Sequence, residues 1–267
     1  MKNVHRSLAR SLLRLCCLVF LLDLAHPPAS GAEPIPVRYI EGIAHGFLLV
    51  ENDKGGQVGL GESQQVVKGG RVVDHLSIRF KDGSRYEEET VFTQQRVFQL
   101  VSDHVTEEGP IFTNPMETFI DVPAGRVSVR YMEHGKKKQL IKQMKLPPDL
   151  ANGIVFALVK NIPSTSETSV SYLAVSPTPR LVKLVFSPDG ETNFAVGGNN
   201  YKATQYVIKV KIGGVAGVVA PILGKQPPDT RMWVIGGMAP TYAGSEGPLY
   251  GGGPVWKISL LSPLMGR

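Results

Sequence analysis

Hydrophobic and polar residues alternate with a period of two along most of the chain, which is the pattern of half-buried antiparallel strands. The clearest case is the segment 201–212, in which Tyr206, Ile208, Val210 and Ile212 fall on one face. Most of the polar residues of that segment fall on the other face. The same alternation predicts further strands at 37–50, 72–80, 127–133, 169–175, 180–186 and 255–261.

Short turn sequences separate these segments: KDGS at 81–84, EHGK at 133–136 and SPDGE at 187–191. They favour tight hairpins because Gly, Asn and Asp tolerate a positive φ. Hairpins in succession predict a β meander of about ten strands, a size at which an open sheet tends to curl. The Gly- and Pro-rich stretch 236–256 predicts an irregular loop before the last strand.

One segment departs from the alternation. In LPPDLANGIVFALVKNIP (146–163), Leu150, Ile154, Leu158 and Ile162 recur at helical spacing, with prolines at both ends. The apolar side of such a helix needs a surface to cover, and the concave side of a curled sheet provides one. We therefore expect a mainly β protein: a strongly curved antiparallel sheet, an open or half barrel, with one central helix packed on its concave face.

The first 32 residues have the layout of a cleavable secretory signal. Four basic residues accompany the apolar stretch 15–25, and the small residues Ser30 and Ala32 precede a cut before Glu33. The apolar stretch is shorter than the ~20 residues of a membrane-spanning helix, which disfavours a permanent anchor. We therefore expect an exported protein, periplasmic or secreted, in which residues 33–267 form a single β-rich domain.

Removal of that signal changes the composition. Both cysteines, Cys16 and Cys17, lie inside it, so the mature protein has no disulfide and no cysteine-ligated metal. Its loss also lowers the formal charge from +6 to +3, since residues 1–32 carry four basic residues and one acidic residue. A charge this small does not favour nucleic acid as a partner. The four remaining histidines show no metal-binding spacing, and we predict neither a metal nor a cofactor.

The run IGGVAGVVAPIL (212–223) contains no charged residue. It lacks the motifs of phosphate and dinucleotide loops, and it is too short to cross a membrane. Two interpretations are open: a crossover buried in the core, or an apolar lid at the mouth of a ligand cavity. In the second case an apolar groove is lined by Ile154, Leu158, Val215, Val218, Val219, Ile222, Trp233 and Trp256.

Charged runs lie at YEEET (86–90) and GKKKQLIKQMK (135–145). Contiguous like charges are typical of a solvated surface. The functional alternative for the basic run is docking to an anionic membrane surface or to an envelope protein. The residues of that docking surface are Lys136, Lys137, Lys138, Lys142 and Lys145.

No catalytic signature is present. Asp103 and His104 are adjacent, but no GxSxG motif supplies a nucleophile for a hydrolase. We therefore expect a protein that is not an enzyme.

Over residues 35–262 this arrangement resembles exported half-barrel proteins of the LolA, RseB and DUF3108 kind. The local features that carry the resemblance are FKDGS (80–84), LPPDLANG (146–153) and KATQYVIKVKIGGVAG (202–217). It implies an incompletely closed antiparallel sheet with helical material on its concave side. It also implies a cavity that holds acyl chains or acts as a sensing surface, usually without enzyme activity.

The expected function is non-catalytic binding of a lipid or another hydrophobic ligand in the cell envelope, as a carrier or a sensor. The alternative is a structural or protein-interaction module whose core is fully buried and holds no ligand. An apolar cavity distinguishes the two.

Overall fold

The fold is built almost entirely from antiparallel strands. The structure, a computed structural model, describes residues 33–175, 178–196, 198–213 and 227–261, so the predicted signal segment lies outside the described residues. The described strands are β1 (Ala44–Glu51), β2 (Gln57–Lys68), β3 (Arg71–Phe80), β4 (Arg85–Gln94), β5 (Phe98–Glu108), β6 (Met116–Asp121), β7 (Arg126–Glu133), β8 (Lys136–Gln143), β9 (Thr168–Ala174), β10 (Arg180–Val196), β11 (Asn199–Lys211), β12 (Thr230–Ile235), β13 (Thr241–Pro248) and β14 (Val255–Leu261).

These strands form one sheet in the order β8-β7-β6-β5-β4-β3-β2-β1-β14-β13-β12-β11-β10-β9. Each strand pairs antiparallel with its neighbours, and the first and last strands meet in the middle, where Val50 is opposite Ile258. The sheet is not closed, because β8 and β9 are its two edges. The prediction of a mainly β, open antiparallel meander is therefore confirmed.

The chain between the two edge strands packs against both halves of the sheet. Its buried residues Ile154 and Leu158 belong to one apolar cluster with Ile120 of β6 and Phe186 of β10. Strands β6 and β10 are far apart in the sheet order, so the sheet must bend for both to reach the same segment. This arrangement places the segment around Ile154 and Leu158 between the two halves.

The predicted helix over 146–163 is wrong in extent. The helix α1 comprises only Val155–Val159, five residues, so a central helix on the concave face is not what the chain forms. Gly153 has φ +68° and breaks the helical path before α1 begins. Leu150, Ile154, Leu158 and Ile162 have the spacing of a helix, but most of them lie in turns or irregular chain, from which their side chains reach the core.

The polar residues before Gly153 bind the edge strand β9 instead of continuing a helix. Asp149 Oδ2 accepts a hydrogen bond from the Ser171 amide at 2.8 Å. Asn152 accepts from the Leu173 amide at 2.8 Å and donates to the Leu173 carbonyl at 3.0 Å. The backbone of Ala151 also donates to the Ser171 carbonyl at 2.9 Å. These contacts cover part of an edge that would otherwise expose unpaired backbone groups.

We predict that Asn152→Ala lowers the free energy of unfolding by about 1–3 kcal/mol, because two buried backbone groups of Leu173 lose their partner. Urea unfolding measures this change. The exposed Asn193→Ala on β10 is the control and is expected to change the free energy by less than about 0.5 kcal/mol. Equal effects of the two substitutions would contradict the role of Asn152 at the edge.

Two other expectations from the sequence are corrected. SPDGE is not a hairpin turn, because β10 runs through it with a register shift between Pro188 and Glu191. The stretch 236–256 is not all loop, because it contains β13. In β13 a Cβ at Gly244 would lie 2.7 Å from Phe194 Cζ and 2.8 Å from the Ile258 carbonyl oxygen. Glycine is therefore required there by close packing, not by a turn.

Candidate functional site

Two adjoining cavities lie on the inner side of the sheet, and the larger of the two has a volume of about 580 Å³. Its inner wall is mainly apolar and includes Leu48, Leu76 and Ile258, which come from β1, β3 and β14. Two exposed apolar side chains also line it: Ile40 is 78% exposed and Met238 is 100% exposed. Large apolar side chains at full exposure are unfavourable in water, so these two are suited to contact with an apolar molecule.

A second cavity of about 320 Å³ shares a wall with the first. Phe156 of α1 lines both cavities, and its ring lies 4.7 Å from the ring of Tyr242. Glu88, Leu76 and Gly153 also line both. The short helix therefore supplies the side chain that stands between the two spaces.

Three adjacent strands, β3, β4 and β5, place carboxyl groups on the cavity side. Their inward positions form three rows across the sheet, and each row contains at least one acid. The rows, in the order β3, β4, β5, are Asp74–Thr90–Asp103, Leu76–Glu88–Val105 and Ile78–Tyr86–Glu107.

Some of these acids have hydroxyl partners. Thr90 Oγ1 donates to Asp103 Oδ1 at 3.1 Å, and Tyr86 donates its hydroxyl to Glu88 Oε2 at 3.1 Å. Asp74 Oδ1 accepts from Ser63 at 3.3 Å. These partners are neutral, so they stabilise the carboxyl groups without compensating their charge.

Burial makes the acids weaker. It raises the pKa of Asp74 to about 6 and that of Glu107 to about 7. It also raises the pKa of Glu88 and of Asp103, which are close enough to interact with each other. The cause in each case is that a carboxylate loses hydration inside the protein while a neutral carboxylic acid loses less.

The basic groups lie at the larger cavity. Lys160 lines it, and its ammonium nitrogen is 2.6 Å from Glu41 Oε2. Arg38 and His45 line it as well. Among the described residues that line the smaller cavity, none is Lys, Arg or His. Among the described residues, basic side chains therefore line the larger cavity but not the smaller one.

The expectation that YEEET lies on a solvated surface is wrong for three of its five residues. Glu87 and Glu89 face away from the cavities, but Tyr86 and Thr90 are buried and Glu88 lines both cavities. The period of two that predicts the other strands also applies to residues 85–94. Applied here, it would have placed one acid of this run inside.

Asp103 and His104 do not form a catalytic pair. Asp103 is 2% exposed and bound to Thr90, whereas His104 is on the opposite face of β5 with its Nε2 3.0 Å from Glu117 Oε1. Within the ranges that the structure describes, no three His, Cys, Asp or Glu side chains are placed to hold a metal ion.

The four predicted groove residues that the structure describes lie in three different apolar clusters. Ile154 and Leu158 are in the main apolar cluster, Trp256 packs with Phe80, and Trp233 packs with Phe194 in a third cluster. None of the four lines either cavity. Val215, Val218, Val219 and Ile222 lie outside the described residues, as does most of the predicted lid.

The five lysines of the predicted docking surface do not share one face. Lys136, Lys138 and Lys142 fall on the same face of edge strand β8 as Leu140, whereas Lys137 falls on the other face, and Lys145 follows the strand. Lys142 also donates to the Pro179 carbonyl at 3.3 Å. Docking of this strand to a membrane or a protein stays a prediction. No helix in the described ranges is long and apolar enough to cross a membrane.

Comparison with known proteins gives only distant similarities. No model of a known protein family matches the chain, and neither does any curated protein. Among solved structures, the chain is similar to a beta-barrel-like protein of the domain of unknown function DUF1849 from Brucella abortus, with 9% identity, a TM-score of 0.42, and coverage of 86% of this chain and 97% of that one.

The chain is also similar to the hypothetical lipoprotein YmcC from Escherichia coli, with 9% identity, a TM-score of 0.34 and coverage of 85% of each chain. At these values neither similarity bears on what this protein binds. Neither structure is described as a LolA, RseB or DUF3108 protein, so the resemblance to those proteins stays a prediction.

Proposed function

We propose that this protein is a non-catalytic binder of a lipid or another hydrophobic ligand, exported to the cell envelope, where it acts as a carrier or a sensor. The observation that carries the proposal is the larger cavity, with its apolar wall and its two exposed apolar side chains. Small-molecule sites are typically concave, mainly apolar and about 300–1,000 Å³ in volume. Both cavities are within that range.

The source of affinity in this proposal is burial of apolar surface, at roughly 25 cal/mol per Å² before the costs of ordering the ligand. Leu48, Leu76 and Ile258 provide the apolar wall, and Phe156 is positioned to contact a ligand in either space. The alternative, a module with a fully buried core, does not account for a space of this size beside exposed apolar side chains.

The test is binding of a neutral fluorescent probe, N-phenyl-1-naphthylamine, and its displacement by dodecanol. The proposal expects a blue-shifted, saturable increase in emission that dodecanol reverses. Absence of saturable binding, together with a clean mass for protein purified from its own envelope without detergent, would refute it.

We predict that Ala44→Trp weakens probe binding by tenfold or more. Ala44 is exposed at the start of β1 and lines the larger cavity, so an indole there would occupy the opening. The matched control is Ile43→Trp, since Ile43 is 83% exposed but does not line the cavity. Equal probe affinities for the two variants would show that the probe does not enter by this opening.

A further inference from the structure

The smaller cavity combines an apolar wall with three acids. Glu88, Asp103 and Glu107 line it, alongside apolar residues that include Leu173 and Met232. No basic side chain is among the described residues around it. Buried carboxylates are normally paired with a cation or bound to a metal, because an isolated buried charge is costly. The described structure supplies neither.

Of the three acids, Glu107 most clearly lacks a partner among the described residues. The residue is 9% exposed, and it lines the cavity from the inward face of β5. Among the ranges described, its carboxyl group makes no hydrogen bond and no ion pair. Its carboxyl oxygens are accessible from the cavity, so among the described residues they are open to a hydrogen-bond donor of a ligand.

We propose that the smaller cavity binds the ammonium group of an amphiphilic amine, with the carboxyl groups of Glu88, Asp103 and Glu107 as its partners. This inference rests on the proposed function and names the chemical class of its ligand. The alkyl part of the ligand lies along the apolar walls of the two adjoining cavities, where Phe156 contacts it.

Electrostatics decides among the head groups that an amphiphile can carry. An ammonium group donates hydrogen bonds to carboxylates, and an ion pair of this kind is stronger at a site shielded from water. A ligand carboxylate would face three acids and, among the described residues that line this cavity, no base, so repulsion would oppose its binding. An alcohol can be hydrogen bonded but does not compensate the charge, so it should bind with intermediate affinity.

The experiment compares three ligands with the same alkyl chain: dodecylamine, dodecanol and dodecanoate. Each displaces N-phenyl-1-naphthylamine from the purified protein at pH 7.5, below its micelle-forming concentration. We expect the amine to bind at least tenfold more tightly than the alcohol, and the carboxylate to bind most weakly. Equal affinities for amine and alcohol, or a preference for the carboxylate, would overturn the inference and leave the proposed function standing. Failure of all three to bind would overturn both.

A variant tests the role of Glu107 in that preference. Glu107→Gln keeps the shape of the side chain and removes its charge, so the affinity ratio of amine to alcohol should fall at least threefold. The control is Glu108→Gln, since Glu108 is exposed on the other face of β5 and is paired with Arg85 at 2.6 Å. An unchanged ratio in Glu107→Gln, or an equal fall in both variants, would exclude Glu107 as the partner of the amine.

Discussion

Gly153→Ala is expected to lower the free energy of unfolding by about 2–5 kcal/mol. Gly153 has φ +68°, a conformation that costs an L-residue roughly 1–2 kcal/mol. A Cβ at this position would also overlap Thr90 Oγ1 and lie 2.6 Å from Asp103 Oδ1. The Thr90–Asp103 pair is buried and hydrogen bonded, so it cannot move away without losing that bond. Urea unfolding followed by far-UV circular dichroism measures the effect.

Gly55→Ala separates the backbone cost from the packing cost. Gly55 has a similar φ of +74°, but nothing lies within 4 Å of the position that its Cβ would take. We expect this control to lose only about 1–2 kcal/mol. If both variants unfolded at the same urea concentration, the close approach of residue 153 to β4 and β5 would be disproved.

Gly153 also shows how far the sequence predicts this fold. The strands with strict alternation, such as β3, β7 and β11, are predicted within one or two residues of their bounds. The segment around Gly153 is not, because its apolar spacing is that of a helix while its polar residues have other partners. Asp149 and Asn152 bind the backbone of β9, which is a long-range contact that local periodicity does not reveal.

The acids of the site illustrate a second limit. A run of acidic residues such as YEEET has the composition of a surface, and the inward, half-buried position of Glu88 contradicts the usual preference of charged groups for water. The alternation of β4 selects the glutamate that faces inward, but only its register fixes that Leu76 and Val105 lie beside Glu88. The cavity also depends on the bend of the whole sheet, which no single segment encodes.

Glu107→Gln is expected to raise the free energy of unfolding by about 3 kcal/mol more at pH 8 than at pH 4. Burial raises the pKa of Glu107 in the folded protein from the ordinary 4.5 to about 7. Between these values the folded protein binds more protons than the unfolded chain, so its stability falls as the pH rises through this interval. Glutamine does not titrate, so the fall in stability that Glu107 causes as the pH rises is absent from the variant.

The groups around Glu107 decide how cleanly this change can be measured. Its charge acts on Tyr86 of β4 and Tyr172 of β9, whose pKa values are raised mainly by burial, so both stay neutral throughout the interval. Asp74, Glu88 and Asp103 also have raised pKa values, so the variant should retain a smaller slope of the same sign.

The control for the pH experiment is Glu108→Gln. Glu108 is exposed and paired with Arg85, and an exposed ion pair contributes at most about 1 kcal/mol. Its removal should therefore leave the slope of stability against pH almost unchanged between pH 4 and pH 8. A Glu107→Gln variant with the same slope as the parent protein would mean that Glu107 is ionised at little cost in the folded state. A cation in the smaller cavity would then have no costly buried charge to compensate, and the proposal of an ammonium ligand would lose its physical basis.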